Sequence, residues 1–235
     1  MSSESPRPTF TELGVAVEIT DALEALGINR TFAIQEYTLP IALDGHDFIG
    51  QARTGMGKTY GFGVPLLDRV FDSADVAETD GTPRALVIVP TRELAVQVGD
   101  DLQRAATNLP LKIFTFYGGT PYEEQIDALK VGVDVVVGTP GRLLDLHKRG
   151  ALSLDKVAIL VLDEADEMLD LGFLPDIEKI LRALTHQHQT MLFSATMPGA
   201  ILTLARSFLN KPVHIRAETS DASATHKTTK HVVFQ

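Results

Sequence analysis

The 235-residue chain contains no cysteine, which excludes a disulfide framework and any thiolate-bound metal. Aromatic residues make up only 6% of it, which gives little material for a base-stacking platform. No apolar run approaches the ~18 residues that suggest a membrane span. The opening residues, Met1-Ser2-Ser3-Glu4-Ser5-Pro6-Arg7-Pro8, lack the apolar core of a secretory signal. A cytoplasmic, reducing setting with no membrane partner is the expectation. Positive charge is scarce as well, 21 Lys and Arg against 31 Asp and Glu, for a net charge of -10. That balance excludes an indiscriminate polycation gripping nucleic acid by bulk electrostatics. It leaves room for backbone N–H groups, helix N-termini and a few placed arginines to hold phosphates.

What is present points to one large α/β domain, since 44% hydrophobic residues over this length can bury a sizeable core. Apolar, β-branched runs occur at 47–50, 85–89, 113–116, 133–137, 157–162, 190–193 and 213–215. Helical patterns alternate with them, starting near Gly57, Arg92, Pro121, Gly141, Glu164, Pro175 and Pro198. Strands apolar on both faces imply a parallel β-sheet with helices on both faces, joined by right-handed crossovers. Residues 1–8, the acidic stretch 72–83 and the Ser/Thr/Ala-rich stretch 217–230 read as punctuation. His231 to Gln235 reads as the opening of another strand, so a chain cut from something longer is expected.

Two short strings carry the chemistry. Ala52-Arg53-Thr54-Gly55-Met56-Gly57-Lys58-Thr59 can wrap a polyphosphate in inward-pointing amides, with Lys58 as counter-charge and the Thr59 hydroxyl as a magnesium ligand. Position 52 is alanine where the general phosphate-loop pattern has glycine, and a glycine-rich strand-to-helix turn is the alternative reading. Asp163-Glu164-Ala165-Asp166 follows an apolar run, so the Asp163 carboxylate should emerge at the strand's C-terminal edge, where open α/β sheets bind ligands. Glu164 could orient and deprotonate an attacking water. An acidic first turn favoured by the helix macrodipole would explain these charges, but not their pairing with a phosphate loop.

Read in order, the strings resemble the DEAD-box RNA helicases over nearly the whole chain. The motifs are Gln35 within Gly27-Ile28-Asn29-Arg30-Thr31-Phe32-Ala33-Ile34-Gln35, with Phe10 seventeen residues before Gly27; the phosphate loop; Pro90-Thr91-Arg92-Glu93-Leu94-Ala95; Gly118-Gly119; Thr139-Pro140-Gly141-Arg142; Asp163-Glu164-Ala165-Asp166; and Ser194-Ala195-Thr196. The resemblance implies a RecA-like P-loop NTPase domain over 9–216, with 217–235 leading into a second RecA-like domain. It implies ATP and Mg2+, with Phe10 packing on adenine, Gln35 reading its edge, and Thr54, Gly55, Met56, Gly57, Lys58 and Thr59 around the phosphates. Lys58, Asp163, Glu164 and Asp166 become the catalytic set, with Asp163 reaching the metal through water. Asp166 would hydrogen-bond to the Ser194 and Thr196 hydroxyls, linking hydrolysis to RNA grip. Pro90, Thr91, Arg92, Gly118, Gly119, Thr139, Pro140, Gly141 and Arg142 would contact the sugar-phosphate backbone of single-stranded or duplex RNA.

The implied activity is ATP-dependent RNA unwinding, or alternatively an ATP-gated RNA clamp or assembly factor. Two departures stand out. The family usually has proline at Thr31 and a small residue at Met56, whose bulk is expected to slow turnover or shift the loop. His186-Gln187-His188 reads as an exposed loop rather than a metal site. Phe116 and Tyr117 read as strand-end packing, Gly61, Gly63 and Pro65 as interruptions of the phosphate-loop helix packed on the sheet, and Leu169, Leu171, Phe173 and Leu174 as core.

Overall fold

The computed structural model describes residues 6–53, 55, 57–74, 76–217 and 232–233. Thr54 and Met56 of the phosphate loop, the first five residues and most of the 217–235 stretch lie outside the described residues. The elements run α1 (Val17–Ala25), α2 (Ala33–Leu43), β1 (Phe48–Gln51), α3 (Lys58–Asp72), β2 (Ala85–Ile88), α4 (Arg92–Ala105), β3 (Ile113–Phe116), α5 (Tyr122–Val131) and β4 (Val135–Gly138). They continue as α6 (Pro140–Lys148), β5 (Ile159–Leu162), α7 (Ala165–Asp170), α8 (Leu174–Ala183), β6 (Gln189–Ser194), α9 (Gly199–Phe208), β7 (Val213–Arg216) and β8 (Val232–Val233).

The sheet order is β3-β4-β2-β5-β6-β1-β7-β8. Strands β1 to β7 pair in parallel, and β8 adds antiparallel to β7. The burial pattern follows from the period of two in a strand. Ala85, Val87, Val135, Val137, Ile159, Val161, Met191 and Phe193 enter one hydrophobic layer with α1 to α4. Leu86, Ile88, Val136, Leu160, Leu162 and Leu192 enter the other, with α6 to α9. A strand apolar at every position is what a sheet covered on both faces requires.

The seven anticipated strands and seven anticipated helices occur with ends shifted by a residue or two. Helices α1 and α2 precede them and were not anticipated. Helix α3 is not interrupted at Gly61, Gly63 and Pro65: it runs continuously from Lys58 to Asp72. A Cβ on Gly63 would stand 2.6 Å from Leu102 Cδ2, so this glycine lets α3 close against α4 rather than against the sheet. Leu171 is 52% exposed, and Leu169, Phe173 and Leu174 are only half-buried against the second layer. The acidic 72–83 stretch is anchored: the buried Arg84 guanidinium donates to the carbonyls of Ala77 (2.9 Å), Thr82 (2.9 Å) and Glu78, and pairs with Asp80 at 3.2 Å.

Candidate functional site

Because β1 to β6 are parallel, the loops that follow them emerge at one edge. In sheet order they are the Gly118-Gly119 loop after β3, the Thr139 turn after β4, Pro90-Thr91-Arg92 after β2, Asp163-Glu164 after β5, Ser194-Ala195-Thr196 at the end of β6, and the phosphate loop after β1. Every motif singled out in the sequence beyond Gln35 therefore shares that edge. One half (β3, β4, β2) carries glycine, threonine and arginine; the other (β5, β6, β1) carries the acidic residues and Lys58.

In the second half, Gly57 caps α3 in the left-handed region (φ 76°), and Gly55 is left-handed too (φ 83°). A Cβ on Gly57 would lie 2.5 Å from Phe32 Cδ2 and 2.6 Å from Gln35 Nε2, so glycine is demanded both by conformation and by space. Lys58 opens α3 as a buried residue, and its Nζ donates to Glu164 Oε1 at 2.6 Å and lies 3.8 Å from Asp163 Oδ1. Thr59 follows in the same first turn. Asp163 extends the ladder, its N–H donating to the Ile88 carbonyl at 3.0 Å, while its Oδ1 accepts the Glu164 N–H at 2.9 Å. Burial pushes the Asp163 carboxyl up from 3.8 to about 6; Lys58 offsets part of this and the Glu164 charge adds to it. Glu164 sits in the left-handed region (φ 52°), where an L residue is strained, and such strain gathers at functional sites.

Asp166, in the first turn of α7, accepts from the Thr196 N–H at 2.9 Å and the Thr196 hydroxyl at 2.8 Å. Its own N–H donates to Ser194 Oγ at 3.1 Å, and the Ser194 hydroxyl donates to the Thr196 carbonyl at 2.7 Å. Burial alone would raise the Asp166 carboxyl, but the Thr196 and Ser194 hydrogen bonds outweigh it and hold the group below its ordinary value. The register that sets Gln51 beside Ser194 joins this latch to the end of β1.

Gln35 is fully buried, its Oε1 accepting the Phe32 N–H at 2.9 Å and its Nε2 donating to the Gly57 carbonyl at 2.7 Å. Its amide is thus applied to the phosphate loop itself. Phe10 is only 2% exposed, with its ring in the first hydrophobic layer. Thr31 uses the freedom that a proline would lack: its N–H and hydroxyl both donate to the Pro8 carbonyl, at 3.1 and 3.0 Å, fastening the segment that leads to Phe10.

In the first half, Pro90 is buried and Thr91 caps α4, its Oγ1 accepting the Leu94 N–H at 3.2 Å. Arg92 is exposed, with its guanidinium 4.8 Å from the Tyr117 ring centroid. Gly118, Gly119 and Gly141 are exposed, Thr139 is half-buried as the N-cap of α6, and Pro140 is buried in its first turn. Arg142, expected to contact the sugar-phosphate backbone, has its guanidinium turned to protein partners. It is 8% exposed; Nη1 and Nη2 both donate to the Thr120 carbonyl at 3.1 Å, and Nη1 donates to Gln125 Oε1 at 3.0 Å. Its guanidinium also lies 4.0 Å from the Tyr122 ring centroid, with Arg149 at 3.9 Å from the same centroid. Gln125 and Tyr122 escaped the sequence reading because no motif spacing marks a residue that serves another loop.

Among the described residues no group of three or more His, Cys, Asp or Glu could hold a metal ion, and no helix is long and apolar enough to cross a membrane. A polar cleft lined by His46, Asp47, His186, His188 and Asn210 lies at the opposite edge of the sheet, where β1 and β6 begin.

The DEAD/DEAH box helicase family model matches residues 32–204. The chain is 48% identical over 207 residues to a DEAD-box ATP-dependent RNA helicase, CshA, of Streptococcus pneumoniae, covering 88% of this chain and 38% of that protein. Two solved structures are similar. A DEAD box protein of Methanococcus jannaschii has a TM-score of 0.83 and 43% identity over 89% of this chain and 56% of that one. A hypothetical ATP-dependent RNA helicase of Sulfolobus tokodaii has a TM-score of 0.77 and 35% identity over 85% and 56%. The chain thus spans well under half of the curated relative's length.

Proposed function

The chain belongs to the DEAD/DEAH box helicase family, and from that premise and the divided sheet edge we propose that it is the N-terminal ATP-binding RecA-like unit of an ATP-dependent RNA helicase. Residues 9–216 form that unit, residues 1–8 lead into it, and residues 217–235 connect to a second RecA-like domain. The setting is cytoplasmic. The observation that carries this reading is the adjacency of the two halves, with β2 and β5 side by side where phosphate-binding turns give way to the acidic motif.

ATP is the substrate. Lys58, at the positive end of α3, meets the β- and γ-phosphate oxygens, and Gly55 and Gly57 let loop amides face them. Glu164 orients the attacking water and takes its proton. The donor set fits magnesium: Thr59 and Asp163 offer hard oxygens, and Asp163 is a buried carboxylate with Lys58 3.8 Å away. Bound there, with Asp163 acting through water, magnesium would neutralise charge developing on the phosphates. Asp166 ties this chemistry to Ser194 and Thr196. Exposed amides of the Thr91, Gly118-Gly119 and Thr139-Gly141 turns, with Arg92, hold the RNA sugar-phosphate backbone with little base preference.

Arginines from the second domain complete the transition state, and such residues are worth ~10³ to 10⁵ in rate, so the chain alone binds nucleotide, hydrolyses slowly and unwinds nothing. The test is ATPase stimulation of the two-domain protein by single-stranded RNA and single-stranded DNA of equal length. RNA alone is expected to stimulate; equal stimulation by DNA refutes the RNA reading.

A further inference from the structure

The most deeply buried residue of α5 is polar: Gln125 is 4% exposed, while Ile126 and Leu129 are only half-buried. A buried amide costs stability unless its donors and acceptor are matched. The matching here is complete and points one way. Gln125 Nε2 donates to the Tyr117 carbonyl at 3.1 Å and to Thr120 Oγ1 at 2.8 Å, and its Oε1 accepts from Arg142 Nη1 at 3.0 Å. A guanidinium only donates and a carbonyl only accepts, so these partners fix which way round the amide stands. All three bonds end on the two residues that flank Gly118-Gly119, or on the arginine whose Nη1 and Nη2 both donate to the Thr120 carbonyl at 3.1 Å. The Thr120 hydroxyl closes the ring of bonds by donating to the Tyr117 carbonyl at 3.1 Å. Tyr122, one turn earlier on α5, lays its ring 4.0 Å from the Arg142 guanidinium, so the first turn of α5 backs both supports.

The glycines between those residues are not packed in place. Among the described residues, a Cβ on Gly118 would meet nothing within 4 Å and one on Gly119 only Arg92 Nη1 at 3.9 Å, and Gly119 is left-handed (φ 81°). Glycine loses more conformational freedom on ordering than any other residue. A glycine turn that presents its amides to a ligand therefore gains affinity from being set beforehand. We propose that Gln125 is a positioning residue for RNA: acting through Tyr117, Thr120 and Arg142, it holds the Gly118-Gly119 turn in the shape that meets the sugar-phosphate backbone, without touching RNA itself. The inference rests on the RNA reading above and deepens it.

RNA-stimulated ATP hydrolysis by the two-domain protein gives the test. Gln125→Met keeps the length of the side chain and removes its amide; Thr120→Val keeps the shape and removes one hydroxyl of the same network. For Gln125→Met the RNA concentration at half-maximal stimulation is expected to rise about 5- to 20-fold, with the maximal rate and the KM for ATP within about twofold of the unaltered protein. Thr120→Val is expected to raise it about 2- to 5-fold, and the double variant to be no worse than Gln125→Met, because both act through one turn. The slope of RNA affinity against salt is expected to stay as it was, since no phosphate contact is removed. An unchanged RNA requirement in both variants overturns the proposal. So do effects that multiply in the double variant, or a slope lowered by about 1, which marks a lost phosphate contact. A KM for ATP that rises in step with the RNA requirement marks a general loosening of the fold and equally overturns it. If Gln125→Met gives no cooperative melt in far-UV circular dichroism, Thr120→Val decides: a raised RNA requirement at unchanged KM for ATP supports the proposal, and an unchanged one overturns it. If RNA does not stimulate the unaltered two-domain protein, it is the RNA reading itself that fails.

Discussion

Replacing Asp163 with asparagine removes one buried charge and very little else. The amide oxygen can still accept the Glu164 N–H now held at 2.9 Å, the backbone bond to Ile88 is untouched, and Lys58 keeps its 2.6 Å partner, Glu164. The Asp163 carboxyl is raised from 3.8 to about 6 in the folded protein, chiefly by burial. A folded-state pKa raised above the unfolded one means a contribution that is present below the unfolded pKa and is lost as pH rises through the folded one. Linkage makes the accumulated cost about 3 kcal/mol at neutral pH and roughly half that near pH 5. Asp163→Asn is therefore expected to stabilise the chain at neutral pH, by a margin that shrinks on acidification, while removing hydrolysis. With no tryptophan to follow, urea unfolding read by far-UV circular dichroism, in EDTA and without nucleotide, gives the comparison at both pH values. An Asn variant equally stable or less stable at neutral pH, or a margin that does not change with pH, refutes the reasoning.

Lys58→Ala is expected to abolish ADP and ATP binding in a calorimetric titration, and affinity kept within about threefold would remove Lys58 from the phosphate site. Glu164→Gln should leave nucleotide binding intact or tighter, because the ion pair holding Lys58 at 2.6 Å is loosened, while residual phosphate release disappears; unchanged release would deny Glu164 its role as base. Arg142→Lys should weaken RNA binding by the two-domain protein through loss of the paired donation to the Thr120 carbonyl, yet leave the salt dependence of affinity unchanged. Arg92→Gln, by contrast, should reduce that slope by about 1, as loss of a phosphate contact does; a slope change for Arg142→Lys would restore it as a direct contact.

Strands were legible because a sheet covered on both faces leaves its sequence no polar alternation, as in Ala85-Leu86-Val87-Ile88. Motif spacing placed the loops, since each follows a strand in one parallel sheet and so must reach the same edge. Helix α2 was not legible: it is apolar over much of its surface and carries Pro40 in its interior. The roles of single side chains within motifs were harder still. Arg142 reads in sequence like Arg92, but one folds under the Gly118-Gly119 loop and the other stays on the surface, a difference set by Thr120, Gln125 and Tyr122 on another segment. Phe10 and Phe32 present the same problem: both are phenylalanines near one motif, and only packing decides which ring is covered.

The pairings across the site also bear on the order of events. Lys58 is held by Glu164 at 2.6 Å, so a phosphate that takes Lys58 must draw it away from that carboxylate. The exchange replaces one charge-assisted bond with another, and its net gain is small compared with either bond alone. Its chemical consequence under the proposed function is larger, because Glu164 would lose its counter-charge just as an attacking water needs a base. Gln35 is engaged in the same way: its Nε2 donates to the Gly57 carbonyl at 2.7 Å, so the proposed reading of a base requires it to turn from the phosphate loop. On the proposed reading, base recognition by Gln35 would release the Gly57 carbonyl, one residue from Lys58, and phosphate recognition by Lys58 would release Glu164. Under the proposed function, the correct nucleotide does more than fill the site: by separating the pairs that hold Lys58, Glu164 and Gln35 together, it would convert a set of mutually satisfied side chains into one prepared for hydrolysis.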